Sequence, residues 1–330
     1  MSTFCTRTIH WVALLTGCTL AAGHVAANAQ AFPTKPIELV VHTSPGGGTD
    51  VFARAVADVI TKERLLPQPV TVSNRSGGSG AVAYNYIKSK RGDPHVVLTV
   101  ASGTFLTAAA RPEQGYGLEH FTPLAFMAMD AQAVAVQAES KFATVQDLIE
   151  AGKREPNQIA ASVASATGTG RLLLFLLERE TGAKFKFVPF KSGADAAMSV
   201  LGGHVPFTTE NLSEMFPQVE AKKMRVLAVT GEKRLAAVPD TPTLKELGYK
   251  IVVGTGRGFA LPAGVPKEAL AVMEGVMQRV HASPLWRDFA ARMMYEDTYM
   301  SSAEFAQHLQ VKRAEMVEFL HAVGLMQQKQ

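Results

Sequence analysis

A glycine turn between a strand and a helix sets the first constraint on this chain. The apolar run IELVV at residues 37–41 is followed by SPGGGTD at residues 44–50, and helical spacing of apolar residues begins at Val51. Glycines leave the backbone N–H groups open to a ligand, and the free N–H groups and dipole of the following helix favour negative charge. The segment therefore predicts an anion site at a helix N-terminus.

Short apolar runs and amphipathic segments then alternate. The pattern predicts helices at residues 51–64 and 81–90 and strands at 69–72 and 96–100. A glycine turn at 74–80 follows the first of these strands, and a small-residue turn at 101–104 follows the second. This βαβαβ order is typical of a parallel sheet with helices on both faces, in which ligands bind at the carboxyl ends of the strands. All three turns are predicted to lie at that edge.

The second half repeats this architecture without repeating the sequence. Helices are predicted at 145–154, 171–181 and 195–201, strands at 159–163, 186–190 and 224–230, and a small-residue turn at 164–170. The glycine-rich segment 254–264 resembles a return crossing, and helices are predicted at 267–282, 284–293 and 302–323. We expect an α/β fold with two lobes, each a mainly parallel sheet flanked by helices, with a hinged ligand cleft between them. Residues 32–128 and 255–330 would form the first lobe and residues 129–254 the second.

The first 31 residues have the character of a signal peptide. Arg7 is their only charged residue, residues 9–22 are mostly apolar, and small residues surround Ala29 and Ala31 as at a cleavage site. A transmembrane anchor is the alternative, although the apolar part is short and interrupted. The sequence LTGC at residues 15–18 also resembles a lipobox, which leaves lipidation at Cys18 open. Whether the signal peptide is simply cleaved or Cys18 is lipidated, the chain is predicted to be exported to the periplasm.

Composition excludes several classes of protein. The only cysteines, Cys5 and Cys18, lie in the predicted signal peptide, so a cleaved chain would have neither disulfides nor a thiol nucleophile. The formal net charge is only +4, and no run of Lys and Arg exceeds two residues, which argues against nucleic acid as a partner. The histidines show no metal-ligating spacing, so we expect no metal.

Motifs for cofactors and catalysis are missing from the sequence. The dinucleotide fingerprint fails at residues 46–51 because position 51 is Val, and no P-loop motif occurs. The nucleophile-elbow motif is approached only at residues 77–81, where the last glycine is replaced by Ala81. We expect no cofactor and no catalysis, with an α/β enzyme acting on a small carboxylate as the minor alternative.

Asp50 has two possible roles. It could be the N-cap of the helix after the glycine turn, or it could accept a hydrogen bond from a ligand hydroxyl, amine or ordered water. Thr49 and Ser44 have the same ambiguity, because a hydroxyl at a helix start can cap the helix and bind a ligand at once. The sequence leaves both roles open.

Seven short blocks, taken in order, resemble one known family. They are PGGGTD at 45–50, NRSG at 74–77, VPFK at 188–191, LGGHV at 201–205, RVLAVT at 225–230, PDTPT at 239–243 and PAGVP at 262–266. This ordered set resembles the periplasmic solute receptors of tripartite tricarboxylate transporters, the Bug family. Thr43 stands where the family often has an aromatic residue, which argues against an aromatic ligand.

The resemblance implies a type II periplasmic-binding-protein fold that closes around a small organic carboxylate. Its ligand would be held by donors of the loops 44–50 and 165–170 together with ordered waters, and the family's acidic–Asn pair falls on Glu210 and Asn211. The turn after the strand 96–100 is added because ligands bind at the carboxyl ends of parallel strands. The predicted ligand-binding residues are Ser44, Gly46, Gly47, Gly48, Thr49, Asp50, Ser102, Thr104, Ser165, Thr167, Gly168, Thr169 and Glu210. The implied partners are the membrane permease subunits of a tripartite transporter, and the chain is expected to be a monomer. A co-receptor that presents its ligand to a signalling ectodomain is the alternative.

Overall fold

The computed structural model describes residues 32–111, 115 and 117–326. The predicted signal peptide and Cys18 lie outside the described residues. Within these ranges no helix combines the length and the hydropathy needed to cross a membrane.

The first sheet has the strand order β2–β1–β3–β10–β4. Its strands are β1 (Ile37–Val41), β2 (Val70–Asn74), β3 (Val96–Ala101), β4 (Phe121–Ala131) and β10 (Gly254–Pro262). β1 pairs parallel with β2 and β3, whereas β10 lies antiparallel between β3 and β4. Helices α1 (Gly48–Lys62), α2 (Ala81–Ser89) and α3 (Ser102–Ala109) follow the three parallel strands. Their N-termini therefore lie at the carboxyl edge of the sheet.

The second sheet repeats this pattern with the order β7–β6–β8–β5–β9. Its strands are β5 (Ala133–Gln137), β6 (Ala160–Val163), β7 (Lys186–Pro189), β8 (Phe207–Thr208) and β9 (Met224–Val229). Its helices are α4 (Val145–Arg154), α5 (Thr169–Thr181), α6 (Gly193–Leu201) and α7 (Leu212–Glu220). β6 pairs parallel with β7 and β8, and β5 is antiparallel to β8 and β9. The predicted α/β class with two sheets is confirmed, and each sheet adds antiparallel strands to its parallel part.

Three C-terminal helices return to the first sheet: α8 (Lys267–Ala282), α9 (Pro284–Arg292) and α10 (Ser302–Ala322). One core on this sheet joins α1, α8 and α9, and a second core joins α2, α3 and α10. Phe52 of α1 is fully buried, with its ring centroid 5.2 Å from that of Phe259 and 5.7 Å from that of Trp286. These rings connect the first and the last thirds of the chain.

The chain passes between the sheets through hydrogen-bonded, buried residues. Gln132 alone separates β4 from β5, and its N–H donates to Thr230 Oγ1 at 2.9 Å. Thr230 returns a backbone hydrogen bond to the Gln132 carbonyl at 2.9 Å, and Gln132 Nε2 donates to Thr255 Oγ1 of β10 at 3.1 Å. These hydrogen bonds therefore join the segment that leads to the second sheet to the segment that returns from it. The lobe boundaries at 128/129 and 254/255 stay a prediction.

Several elements differ from the sequence-based expectation. α3 occupies the segment predicted as a small-residue turn, α7 and β8 were not predicted, and the segment at which the chain returns to the first sheet forms a strand, β10. Glycine disfavours strands in general, so the composition of β10 suggested an irregular segment. Pairing with β3 and β4 on both edges instead holds it in the middle of the sheet.

We expect Phe52→Ala to destabilise the protein by about 3–5 kcal/mol, because the change removes a fully buried ring and leaves a cavity. Urea denaturation followed by circular dichroism measures the loss. Val311→Ala on α10, where the residue is 55% exposed, is the control and should change stability by less than about 0.5 kcal/mol. Equal effects of the two substitutions would contradict the role of this aromatic contact.

Candidate functional site

The first glycine turn leads directly into α1. Gly47 is the N-cap, so the helix begins at Gly48, three residues before the predicted start at Val51. Ser44 and Gly46 are exposed, Gly47 and Gly48 are half-buried, and Thr49 and Asp50 are buried. The N-terminus of α1 therefore has one face at the surface and one face inside the protein.

Asp50 holds this turn in place. Its carboxylate accepts hydrogen bonds from the Gly46 N–H at 2.8 Å, Arg54 Nε at 2.9 Å and Asn74 Nδ2 at 2.9 Å. Burial raises the pKa of Asp50, but these three donors outweigh burial and lower the pKa below its ordinary value. The N-cap role is wrong, because Gly47 occupies that position. A direct ligand contact of Asp50 stays a prediction.

A buried ion pair lies behind the turn, and the sequence analysis missed it. Arg257 of β10 donates through Nη2 to Asp130 Oδ2 of β4, and the two side chains are 2% and 1% exposed. Arg257 Nη1 also donates to Thr49 Oγ1 at 3.3 Å, and Ser213 Oγ of α7 donates to Asp130 at 2.8 Å. The sequence contained one indication of this pair: Asp130 and Arg257 are single charged residues within apolar segments, and a charge buried in a strand needs a partner.

Glu214 of α7 brings a second carboxyl group to the start of α1. A Cβ atom on Gly48 would lie 2.7 Å from Glu214 Oε1 and 3.0 Å from Arg257 Nη2, so only glycine allows this approach. A Cβ atom on Gly193, the first residue of α6, would lie 1.8 Å from Glu214 Oε2. The carboxyl group thus lies against the N-termini of two helices, where negative charge is favoured. The protein supplies its own acidic group at the predicted anion site.

The titration of Glu214 reflects opposing neighbours. Burial raises its pKa, Arg257 lowers it, Asp130 raises it, and the N–H groups of Gly193 and Ala194 lower it. The net result is a raised pKa.

Glu210 connects this acidic cluster with the second loop. The residue is 4% exposed, and its Oε1 accepts a hydrogen bond from the Ala164 N–H at 2.6 Å. Burial, with help from Glu214 and Asp130, raises the pKa of Glu210 to about 8, against the effect of Ala164. The carboxyl group is therefore mostly protonated at neutral pH.

His42 adds no positive charge to the cluster at neutral pH. Burial and the nearby Arg257 lower its pKa to about 4, against a hydrogen bond to the Thr99 backbone. The excess of acidic groups around Arg257 is thus not balanced by this histidine.

The second loop brings α5 against α3. Gly168 is the N-cap of α5, and Ser165 Oγ accepts a hydrogen bond from the Thr167 N–H at 3.1 Å. Thr107 Oγ1 of α3 donates to the Thr167 carbonyl at 2.7 Å. A Cβ atom on Gly103 would lie 2.1 Å from Thr169 Oγ1. The N-termini of two helices, one after each sheet's strands, are therefore in contact.

Neither of these helix starts has a side-chain cap. The first N–H groups of an α-helix have no partner within the helix, so both starts keep donors for an acceptor placed beside them. Thr104 is the third residue of α3 and is half-buried.

A cavity of about 520 Å³ opens beside this contact. Ser102 and Thr169 line it, together with residues of α5, α10 and the segments 230–232 and 250–254. Residues 44–50, all of which the structure describes, do not line it. The first loop lies beside Arg257 and Glu214, and the second loop lies beside Glu210 of the same acidic cluster, while only its residue Thr169 lines the cavity. Among the described residues, no group of three His, Cys, Asp or Glu side chains could hold a metal ion.

We expect Glu210→Gln to change the pH dependence of stability. Because the folded-state pKa of about 8 exceeds the ordinary value of 4.5, the stability that Glu210 contributes is full below pH 4.5 and is lost as the pH rises to 8. Relative to the original protein, the variant should gain up to about 1.4 kcal/mol per pH unit across this window.

Urea denaturation at several pH values measures the difference. Glu155→Gln is the matched control, because Glu155 is exposed after α4. Parallel stability curves for the original protein and Glu210→Gln would contradict a buried, protonated Glu210.

Sequence comparison finds relatives that match this chain over most of its length. The UPF0065 protein in the gbd 5' region of Cupriavidus necator is 30% identical over 288 residues, which are 87% of this chain and 87% of that protein. Protein BugT of Bordetella pertussis is 27% identical, over 84% of this chain and 86% of that protein.

Solved structures share the fold. A TctC solute binding protein from Polaromonas has a TM-score of 0.70 and 30% identity, over 88% of this chain and 99% of that chain. R. palustris Rpa4515 with adipate has a TM-score of 0.81 and 26% identity, over 89% of this chain and 98% of that chain. The predicted periplasmic-binding-protein fold is confirmed.

The model of the tripartite tricarboxylate transporter family receptor, TctC, matches residues 52–325. This match covers most of the chain and agrees with the resemblance found in the ordered sequence blocks. The chain therefore belongs to the TctC family of tripartite tricarboxylate transporter receptors.

Proposed function

We propose that this chain is a periplasmic receptor that holds a small organic carboxylate between two lobes and delivers it to the membrane permease of a tripartite transporter. Membership of the receptor family supports this function, and a relative was solved with adipate, a dicarboxylate. In this proposal residues 32–128 and 255–330 form one lobe and 129–254 the other. Export would depend on the predicted signal peptide.

The contact between Gly103 and Thr169 carries the proposal. It brings two uncapped helix N-termini together from helices that follow different sheets. A carboxylate placed beside them would accept hydrogen bonds from both sides and favour their close approach. Ligand binding and lobe closure would then be the same event.

The predicted binding residues divide into two groups under this proposal. Ser102, Thr104, Ser165, Thr167, Gly168 and Thr169 surround the helix contact and are the primary donors. Residues 44–50 and Glu210 shape the interior side of the cleft through Arg257, Glu214 and Ala164. The proposed receptor binds its ligand as a monomer without chemical conversion.

Thermal-shift measurements on the purified protein with mono-, di- and tricarboxylates test the function. A ligand at a hundred times its dissociation constant should stabilise the protein by about 2.7 kcal/mol. A shift with sugars or cations, combined with no shift for any carboxylate, would overturn the proposal.

We expect Gly103→Ala to weaken binding while leaving the fold intact. The added methyl group would meet Thr169 Oγ1 at 2.1 Å and keep the two helix starts apart, whereas alanine inside a helix is otherwise favourable. Affinity should fall at least about tenfold, a loss of about 1.4 kcal/mol in binding free energy. Isothermal titration calorimetry measures it with the best carboxylate of the panel.

Gly275→Ala in α8 is the matched control, because nothing lies within 4 Å of the position of its added Cβ. This variant should bind as the original protein does. Undiminished binding by Gly103→Ala would show that closure at this contact is not required.

A further inference from the structure

We propose that the ligand is an aliphatic monocarboxylate whose carboxylate binds at Ser102 and Thr169 and whose chain fills the cavity between α3, α5 and α10. This inference rests on the proposed function and names the ligand class of the same site. Three features of the cavity support it: its polar end, its apolar wall and its charges.

The polar end has hydrogen-bond donors for one carboxylate. Ser102 Oγ accepts a hydrogen bond from the Gly256 N–H at 2.8 Å, which leaves the hydroxyl hydrogen for another acceptor. Thr169 Oγ1 is 3.1 Å from Thr255 Oγ1, which donates to it. The N–H groups at the uncapped starts of α3 and α5 lie beside these hydroxyls. The donors are concentrated at the Gly103–Thr169 contact.

The wall that follows is apolar. It is lined by Leu106, Leu172, Phe175, Leu176, Met316 and Phe319. The three side chains from α5 remain half-buried, and the ring centroids of Phe175 and Phe319 are 5.3 Å apart. Displacement of water from such an apolar surface by an apolar ligand is favourable. The wall therefore suits a hydrocarbon chain.

Basic groups on the α5 and α10 side of the cavity already have acidic partners. Lys312 Nζ lies 2.8 Å from Glu315 Oε2, and Arg179 Nη1 lies 3.8 Å from Glu318 Oε1. A second ligand carboxylate on this side would have to compete with those glutamates. The pairing favours a ligand with a single charge.

Acidic groups also line the opposite side. Glu232, which is paired with Lys245, and Glu296 both lie there, and burial together with Glu232 raises the pKa of Glu296. Lys250 lines the same side, so a dicarboxylate long enough to reach it is the competing ligand class.

Calorimetric titration of the purified protein with straight-chain acids from acetate to decanoate, and with dicarboxylates from succinate to sebacate, tests the inference. The dissociation constant of the monocarboxylates should fall about fourfold per added methylene until the cavity is full. Each dicarboxylate should bind more weakly than the monocarboxylate of equal length.

Leu176→Gln places a polar group in the apolar wall at a half-buried position, and Leu172→Ala is a second variant in the same wall. Both should weaken octanoate binding about tenfold or more and leave propionate within about twofold. Val311→Gln, at a residue on α10 that is 55% exposed, should leave both affinities unchanged.

The outcomes separate the two proposals. If dicarboxylates bind and chain length has no effect on monocarboxylates, the ligand class is wrong and the receptor function stands. If no carboxylate binds, the proposed function fails as well. If octanoate binds equally to the original protein and both wall variants, the chain does not occupy this cavity.

Discussion

The buried ion pair between Arg257 and Asp130 is the interaction on which the interior of this protein depends. Its two strands, β10 and β4, are the ones that lead to and from the second sheet. Thr49 and Ser213 attach α1 and α7 to the same pair. Removing one partner of such a pair leaves an uncompensated buried charge, typically at a cost of about 3–5 kcal/mol. The pair therefore fixes the start of α1 relative to the crossings and to α7.

This arrangement places a carboxyl group of the protein at some helix starts and not at others. Glu214 lies against the N-termini of α1 and α6, so the favourable potential there acts on a carboxyl group of the protein itself. The starts of α3 and α5, which like the start of α1 have no side-chain cap, lie beside a cavity. In the proposed function, the principal anion donors are therefore those of the Gly103–Thr169 contact and not those of the first glycine turn.

Helices with strong periodicity were predicted with the correct bounds, as for Val145–Arg154 and Lys267–Ala282. Prediction from local patterns failed in segments rich in small residues, because such segments can form a turn, a helix or a strand. The segment of α3 was predicted to be a turn, and the return segment was not predicted to be the strand β10, because neither has a distinctive period. Only pairing with β3 and β4 determines that β10 is a central strand.

The sequence by itself determined the repeated strand–turn–helix units, the positions of Ser102 and Thr169 at possible ligand-binding edges, and the family. These properties depend on residues close together in the chain or on an ordered set of blocks. Only the tertiary structure decided the partners of Arg257 and Asp130, which are 127 residues apart, and the position of Glu214. Burial and electrostatic pairing depend on distances in space, and no local pattern specifies those distances.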